Sequence, residues 1–468
     1  ALSVGTAATP SAMNAKAITP GGGIGGSKAL VTDEDDDVSL GVGAGDSVDH
    51  RPANKSTLCG AYFNFLNSIV GAGIIGIPHA IDRSGIGMGI ILLLLVAFLV
   101  NRSVHMLVEM GVRTNHSDYE ELCRHLLGKA GYYTVLVSMA LLAFGAMIAY
   151  LVIIGDTITT VARAADSDSP LADRHAVIAL FGVLVVLPLS LLRDMSTLSS
   201  SSGLSVVADL ILTFIVAIRG PESARNQGIT ASSANEPYAF ARPTLFAGLG
   251  TISFAFVCQH SSFIVFRSMR EPTLQRWDMV NHASIGSAVS LCCVLGLAGY
   301  LSFFDETEAD VLNNFSTEDT AANVGRVLLA LTMMWTFPME HYVMRHCVEV
   351  LAFPGKAWSI YRHVGTTLVL WGTAFLIALS TQDLGLVLEL TGASTATVIG
   401  FILPSLMYLK LHEKEVLDAL LMWDAKNDQY VPALWPRLQA LGPFAVPAFS
   451  IFFGAVAFIA GVTVAILL

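Results

Sequence analysis

The stretch YFNFLNSIVGAGIIGIP, Tyr62 to Pro78, sets two asparagines and the triplet Gly71-Ala72-Gly73 inside an otherwise lipid-compatible run. Glycine lowers the cost of breaking a helix. Inside a bilayer a break is tolerated only where the freed carbonyls and amides line a cavity or find partners, and discontinuous helices near the midplane are where membrane carriers hold substrate and ions. A half-helix starting near Ile74 would aim its positive end at a carboxylate. The carbonyls of the preceding half and the Asn67 side chain would offer hard oxygen ligands to a small cation. The alternative is plain packing, in which Gly71 and Gly73 let a second helix approach closely.

Around this segment the composition is that of a membrane protein. Hydrophobic residues make up 54% of the chain and charged residues 13%, against about 25% charged in an average soluble domain. Apolar runs of the ~20 residues that cross a hydrocarbon core fall near 62–80, 86–110, 131–161, 175–192 and 203–218. A second set falls near 243–266, 281–304, 323–351, 363–380, 384–409 and 443–467. The expectation is an all-α membrane protein of eleven transmembrane helices, occupying residues 56–468 as one domain. Residues 1–55, rich in Gly, Ser, Ala and Asp without apolar period, read as a disordered tail. The net charge of −11 owes part of its size to the run Asp33 to Asp37 in that tail. No basic patch supports a nucleic-acid partner.

Loop charges set the expected orientation. With the N-terminus cytoplasmic, the inside connections hold Arg113, Arg124, Lys129, Arg193, Arg267, Arg270, Arg276, Lys356, Arg362, Lys410, Lys414, Lys426 and Arg437. The outside ones hold only Arg83, Arg163, Arg174, Arg219, Arg225 and Arg242. The acidic loop from Asp305 to Thr320 agrees, and it carries the glycosylation sequon Asn314-Phe315-Ser316.

Further polar residues interrupt other spans. In ISFAFVCQHSSF, Ile252 to Phe263, the group Cys258-Gln259-His260 falls where a second broken helix would sit if the sixth to tenth segments repeat the first five in inverted topology. It has no Gly or Pro to mark the break. His260 reads either as a pH-sensitive gate or as a hydrogen-bonded buried histidine. In the eighth segment Thr332 and Thr336 share one helix face, and Pro338 frees a carbonyl nearby; threonine hydroxyls in such helices commonly bond back to their own backbone. Asp209, Glu340 and Glu389 are the intramembrane acids, a class that usually faces an internal path; pairing with a neighbouring arginine, such as Arg345 for Glu340, is the alternative. The six cysteines have neither zinc-ligand nor disulfide-framework spacing. No catalytic or nucleotide-binding motif stands on a suitable element, so the chain does not read as an enzyme or an ATP-driven pump.

Five ordered stretches, FNFLNSIVGAGIIGIP (Phe63–Pro78), SFAFVCQHSSFIVF (Ser253–Phe266), GYLSF (Gly299–Phe303), TFPMEHYVMR (Thr336–Arg345) and ELTGASTATVIGFILPSLMYLKL (Glu389–Leu411), resemble the sodium-coupled neutral amino-acid transporters of the amino acid/auxin permease superfamily. The resemblance implies a LeuT-type fold, two inverted five-helix repeats plus one extra helix, with alternating access around a central site. It implies neutral amino acids as substrates, sodium as coupling ion and no other cofactor. By position Asn67 matches the family's first-helix sodium-site asparagine and Thr336 a threonine of the same site; Thr332 is added from helix spacing. The substrate pocket is expected from Asn67, Ser68, Gly71, Ala72, Gly73, Phe256, Cys258 and Gln259. Where the family commonly has Gly-Ser-Gly this chain has Gly71-Ala72-Gly73, which leaves a substrate carboxylate to backbone amides.

The implied function is sodium symport of neutral amino acids by a monomer in the plasma membrane, with the N-terminal tail cytoplasmic. Two alternatives stand beside it: a proton-coupled vacuolar or lysosomal carrier, and an amino-acid sensor that signals through the tail.

Overall fold

A computed structural model of the chain describes residues 55–193, 202–231, 237–421, 423–424, 429–430 and 434–467. The expected tail lies almost wholly outside them. The described architecture is helical apart from a two-residue antiparallel ladder that pairs Trp423 with Tyr430 and Asp424 with Gln429.

The first apolar segment is broken where the glycines stand. Helix α1, Leu58–Ile69, is capped by Thr57, whose hydroxyl accepts the Gly60 N–H at 3.1 Å. The chain then leaves helical geometry at Val70 and Gly71, makes a 3₁₀ turn over Ala72–Gly76, and resumes as α2, Ile77–Ser84, with Pro78 in its first turn. Proline suits that position because its missing N–H has no intrahelical partner there. The two halves meet at 47°. Gly85, at φ +81°, ends α2 and begins α3, Ile86–Thr114.

Helix α4, Tyr119–Ala165, bends at Gly128, which takes φ +69°, a conformation open to glycine at little cost. The fourth segment comprises α5, Arg174–Phe181, a π turn over Gly182–Val186, and α6, Leu187–Ser190. Helix α7 is Ser202–Gln227. The sixth segment is broken like the first: α8, Leu245–Phe256, and α9, Gln259–Ser268, are separated by Val257 and Cys258, neither of them helical. Then follow α10, Leu274–Phe303, α11, Thr320–Ala352, and α12, Ile360–Ser380. The tenth segment is α13, Leu384–Thr391, two π turns over Gly392–Ala396 and Val398–Ile402, and α14, Leu403–Leu411. Helices α15, Glu413–Leu421, and α16, Leu434–Leu467, complete the chain.

Among the described residues, eight helices are long and apolar enough to cross a bilayer, nine when the bent first segment counts as one span. That is fewer than the eleven expected. The other two expected segments are helical but do not meet the same test: Arg174–Ser190 is too short, and the apolar run of α11 is diluted by Arg326, Glu340 and Arg345. Leu204, Phe214, Leu376, Phe452 and Ile459 are all exposed on the outer faces of the bundle. In water such a surface would be an association hazard; against lipid tails it is the required one. The chain is a multi-pass membrane protein.

Two contacts tie the broken segments to their neighbours. A Cβ built on Gly392 would lie 1.8 Å from the Gly250 carbonyl oxygen, so α8 and the first π turn of the tenth segment touch through bare backbone. The start of the first segment is tied to the end of the sixth: Ser56 N–H donates to Ser268 O at 2.7 Å, and Arg270 N–H to Ser56 O at 3.0 Å.

The expected outer loop is a packed element. Arg326, fully buried, donates to the carbonyls of Leu312, Phe315 and Ser316 and to Asn323 Oδ1. Asn314 is only 9% exposed; its amide donates to Glu306 O at 2.6 Å and its Oδ1 accepts the Glu308 N–H at 2.9 Å. In the folded loop the sequon asparagine is thus taken up by packing. All six cysteines are free thiols; Cys123, Cys258, Cys292 and Cys347 are buried as small packing residues, and Cys59 is exposed.

Candidate substrate cavity between the two broken helices

The two breaks face one another. A Cβ on Gly73 would lie 2.5 Å from Ala255 Cα, so the 3₁₀ turn of the first segment rests directly on the last turn of α8. Beside this contact lies a cavity of about 40 Å³, room for a few waters. Ser68, Ile69, Gly71, Ala72 and Gly73 line it from the first segment, Phe254, Val257 and His260 from the sixth, Leu142, Ala146 and Tyr150 from α4, and Glu340 from α11.

Of the residues expected to bind substrate, Ser68, Gly71, Ala72 and Gly73 line the cavity. Phe256, Cys258 and Gln259 are fully buried at the second break but point elsewhere. Gln259 explains how a helix breaks without Gly or Pro. Its Oε1 accepts the Cys258 N–H at 3.1 Å, and its Nε2 donates to Ser103 Oγ at 3.3 Å and toward Gly400 O at 3.5 Å. The side chain takes the place of a lost helical bond and fastens the break to α3 and the second π turn.

Asn67 precedes Ser68, is half-buried, and makes no side-chain hydrogen bond among the described residues. Thr332 and Thr336 are half-buried and bond back, Thr332 Oγ1 to Leu328 O at 3.0 Å and Thr336 Oγ1 to Thr332 O at 2.8 Å. A hydroxyl that donates its proton in this way keeps its lone pairs free for a cation. Glu340 lies one further turn along the same face of α11, and that carboxylate reaches the cavity.

The pairing of Glu340 with Arg345 does not occur. Arg345 donates to Ser190 O and Thr367 Oγ1, each at 3.0 Å, and to Leu192 O at 3.4 Å, which ties the end of the fourth segment to α11 and α12. Glu340 instead faces His260, Oε1 to Nε2 at 3.9 Å. His260 Nδ1 is buried and has no partner among the described residues. Asp209 is 2% exposed, its Oδ2 likewise unpartnered, and it stands within electrostatic range of Tyr150.

A second polar cluster joins α2 and α13. Glu389 lies 3.5 Å from Arg83 Nε and 3.8 Å from His79 Nε2, and His79 Nδ1 meets Thr307 O at 2.9 Å. Arg242 pairs with Asp82 and with Asp305, the latter at 2.6 Å. In the adjoining loop burial pushes the Asp310 carboxyl up to about 7, although Leu312 N–H donates to its Oδ1. These contacts bind α2, α13 and the 304–319 loop together. The cavity thus gathers Ser68, Tyr150, His260 and Glu340 within a largely apolar bundle.

Sequence comparison agrees with this geometry. Residues 54–428 match the family described as "Transmembrane amino acid transporter protein". A "Putative sodium-coupled neutral amino acid transporter 11" of Danio rerio is 39% identical over 368 residues, 78% of this chain and 81% of its own length. The Rattus norvegicus protein of the same description is 33% identical, with 78% and 80% covered. "Vacuolar amino acid transporter 2" of Saccharomyces cerevisiae is 34% identical over 375 residues, 77% of this chain and 78% of its own. Two facing helix breaks, a cavity between them and a family match across most of the chain lead to one conclusion: the protein belongs to the transmembrane amino acid transporter family of the amino acid/auxin permeases, a family of carriers and not of enzymes.

Proposed function

We propose that the protein is a secondary active carrier that moves neutral amino acids by sodium symport, with alternating access around the cavity between the two breaks. The observation that carries this reading is the joint lining of one cavity by the first and sixth segments at the points where both leave helical geometry. The backbone N–H groups of Ala72 and Gly73 would receive the substrate carboxylate, the Gly71 N–H being taken by Ile69 O at 3.2 Å. Asn67, with the face of α11 bearing Thr332 and Thr336, would hold the sodium ion. In this reading eleven segments span the membrane, the first ten form two inverted repeats, the N-terminus is cytoplasmic and a monomer suffices. The naming of the animal relatives as sodium-coupled transporters supports sodium coupling, and the reading places the carrier in the plasma membrane.

A second reading, a proton-coupled carrier of a vacuolar membrane, draws on Asp209, a buried carboxyl with an unpartnered oxygen, and on the yeast relative's description. Proteoliposomes separate the two. Uptake of a radiolabelled amino-acid panel is measured with sodium, with choline, or with an imposed pH gradient, for the wild type and Asn67→Ala. Sodium-dependent uptake lost in Asn67→Ala is the expected result; uptake driven by the pH gradient alone, unaffected by Asn67→Ala and lost in Asp209→Asn, selects the second reading.

A further inference from the structure

The cavity has three side chains with polar chemistry of their own besides Ser68, namely Tyr150, His260 and Glu340, and neither Lys nor Arg lines it. Ser68 Oγ donates to its own helix at Phe65 O. Glu340 is 17% exposed and His260 11%, and their 3.9 Å separation is too long for a hydrogen bond. The Glu340 carboxylate accepts no hydrogen bond from any other described residue. The cations that could neutralise it are spoken for: Arg345 by the carbonyls of Ser190 and Leu192. His341 is turned to Thr367 O at 3.4 Å. From α4 the facing polar group is Tyr150, a neutral phenol, which also stands within electrostatic range of Asp209 on α7, a second acid. A carboxylate in a low-dielectric site needs a cation or a set of donors, and here, apart from the His260 imidazole at 3.9 Å, the protein leaves that place open toward the cavity.

An α-amino acid brings both. Its ammonium carries one positive charge and three donors, a few ångströms from its own carboxylate. With the carboxylate at the first break, the ammonium of the same small molecule falls among the remaining polar groups of the cavity. We infer that Glu340 recognises the α-ammonium group of the substrate, with Tyr150 and His260 beside it as secondary acceptors, and that Glu340 is the residue by which the carrier selects amino acids over carboxylates lacking an amino group. The inference rests on the reading of this cavity as the substrate site.

The test uses the full-length protein in proteoliposomes. The best-transported of the twenty proteinogenic amino acids is identified first. Its 2-hydroxy acid, which replaces ammonium by a neutral hydroxyl, is then used as competitor. A hydrogen-bonded charge in a closed site gives the wild type about a 10- to 100-fold preference for the amino acid. Glu340→Gln is expected to cut that preference below about threefold by weakening only the amino acid, and Glu340→Asp to retain most of it. Equal competition by the hydroxy acid in the wild type overturns the inference without recourse to any variant, so a poorly folding Glu340→Gln does not shelter it. A Glu340→Gln protein that keeps the full preference overturns it as well, as does one that changes only the pH profile of uptake, which would make Glu340 a proton site. Absence of any amino-acid uptake overturns the carrier reading and the inference together.

Discussion

Gly73 and Ala255 meet backbone to backbone, leaving no room for a side chain at the glycine: a Cβ there would stand 2.5 Å from Ala255 Cα. Gly73→Ala must therefore push the two breaks apart. Uptake is expected to fall at least about tenfold, since small displacements of binding groups carry large rate penalties, while the protein stays monodisperse. At Gly71 the nearest neighbour of an added Cβ is the Tyr150 hydroxyl at 3.8 Å. Gly71→Ala is expected to weaken apparent affinity and keep transport, and equal loss in both variants would refute the steric argument.

Asp310 predicts a pH dependence of stability. Its carboxyl sits near 7 in the fold against a usual 3.8, so between those values the folded protein holds a proton that the unfolded chain releases. Stability from this group is fully present below about 4 and is lost as pH rises through about 7. The thermal midpoint of the purified carrier should fall between pH 5 and pH 8. Asp310→Asn, which keeps an acceptor for Leu312 N–H, should raise the midpoint at pH 8 and flatten the slope; an unchanged slope would place the proton elsewhere.

Arg326 and Arg276 offer a paired comparison. Arg326→Met strips the donor from three loop carbonyls in a fully buried setting, each worth about 1–3 kcal/mol when left unsatisfied. A loss of about 3 kcal/mol or more is expected in denaturant or thermal unfolding. Arg276, partly exposed and paired with an exposed Glu271, should cost less than about 1 kcal/mol on the same change.

Arg345→Met should loosen the fourth segment from α11 and α12, because the guanidinium is bonded to Ser190 O, Leu192 O and Thr367 Oγ1. Faster hydrogen exchange over residues 180–192 is the expected signature. Exchange unchanged there, with altered substrate affinity instead, would mean that Arg345 acts on Glu340 after all.

Much of this was legible in the chain. Apolar runs located the helices because lipid tolerates little else, and the glycines located the first break. The second break was reached only by counting segments, because Gln259 makes it with a side chain and leaves no Gly or Pro behind. Its lining residues were harder still. The 3.6-residue period does not carry across a break, so spacing could not show that Val257 and His260 would turn to the cavity while Cys258 and Gln259 turned away. Leu142, Ala146 and Tyr150 come from a helix that is apolar all round, where periodicity has no polar face to register against; the lone Tyr150 hydroxyl in AFGAMIAYLVIIG was the one available signal. Two expected spans, α11 and Arg174–Ser190, fall short of a length-and-hydropathy test because they hold the polar or short stretches that a bundle interior accepts and a lone lipid-bound helix does not.

Gln259 makes the two breaks unlike in kind. The first is a matter of shape: no rearrangement of charges or solvent alters the fact that Gly73 has nothing to collide with. The second is a matter of bonding, held by one amide that must keep its grip on Cys258 while anchored to Ser103. Shape survives the loss of any single hydrogen bond and bonding does not, so the geometry of the sixth segment, unlike that of the first, hangs on one side chain.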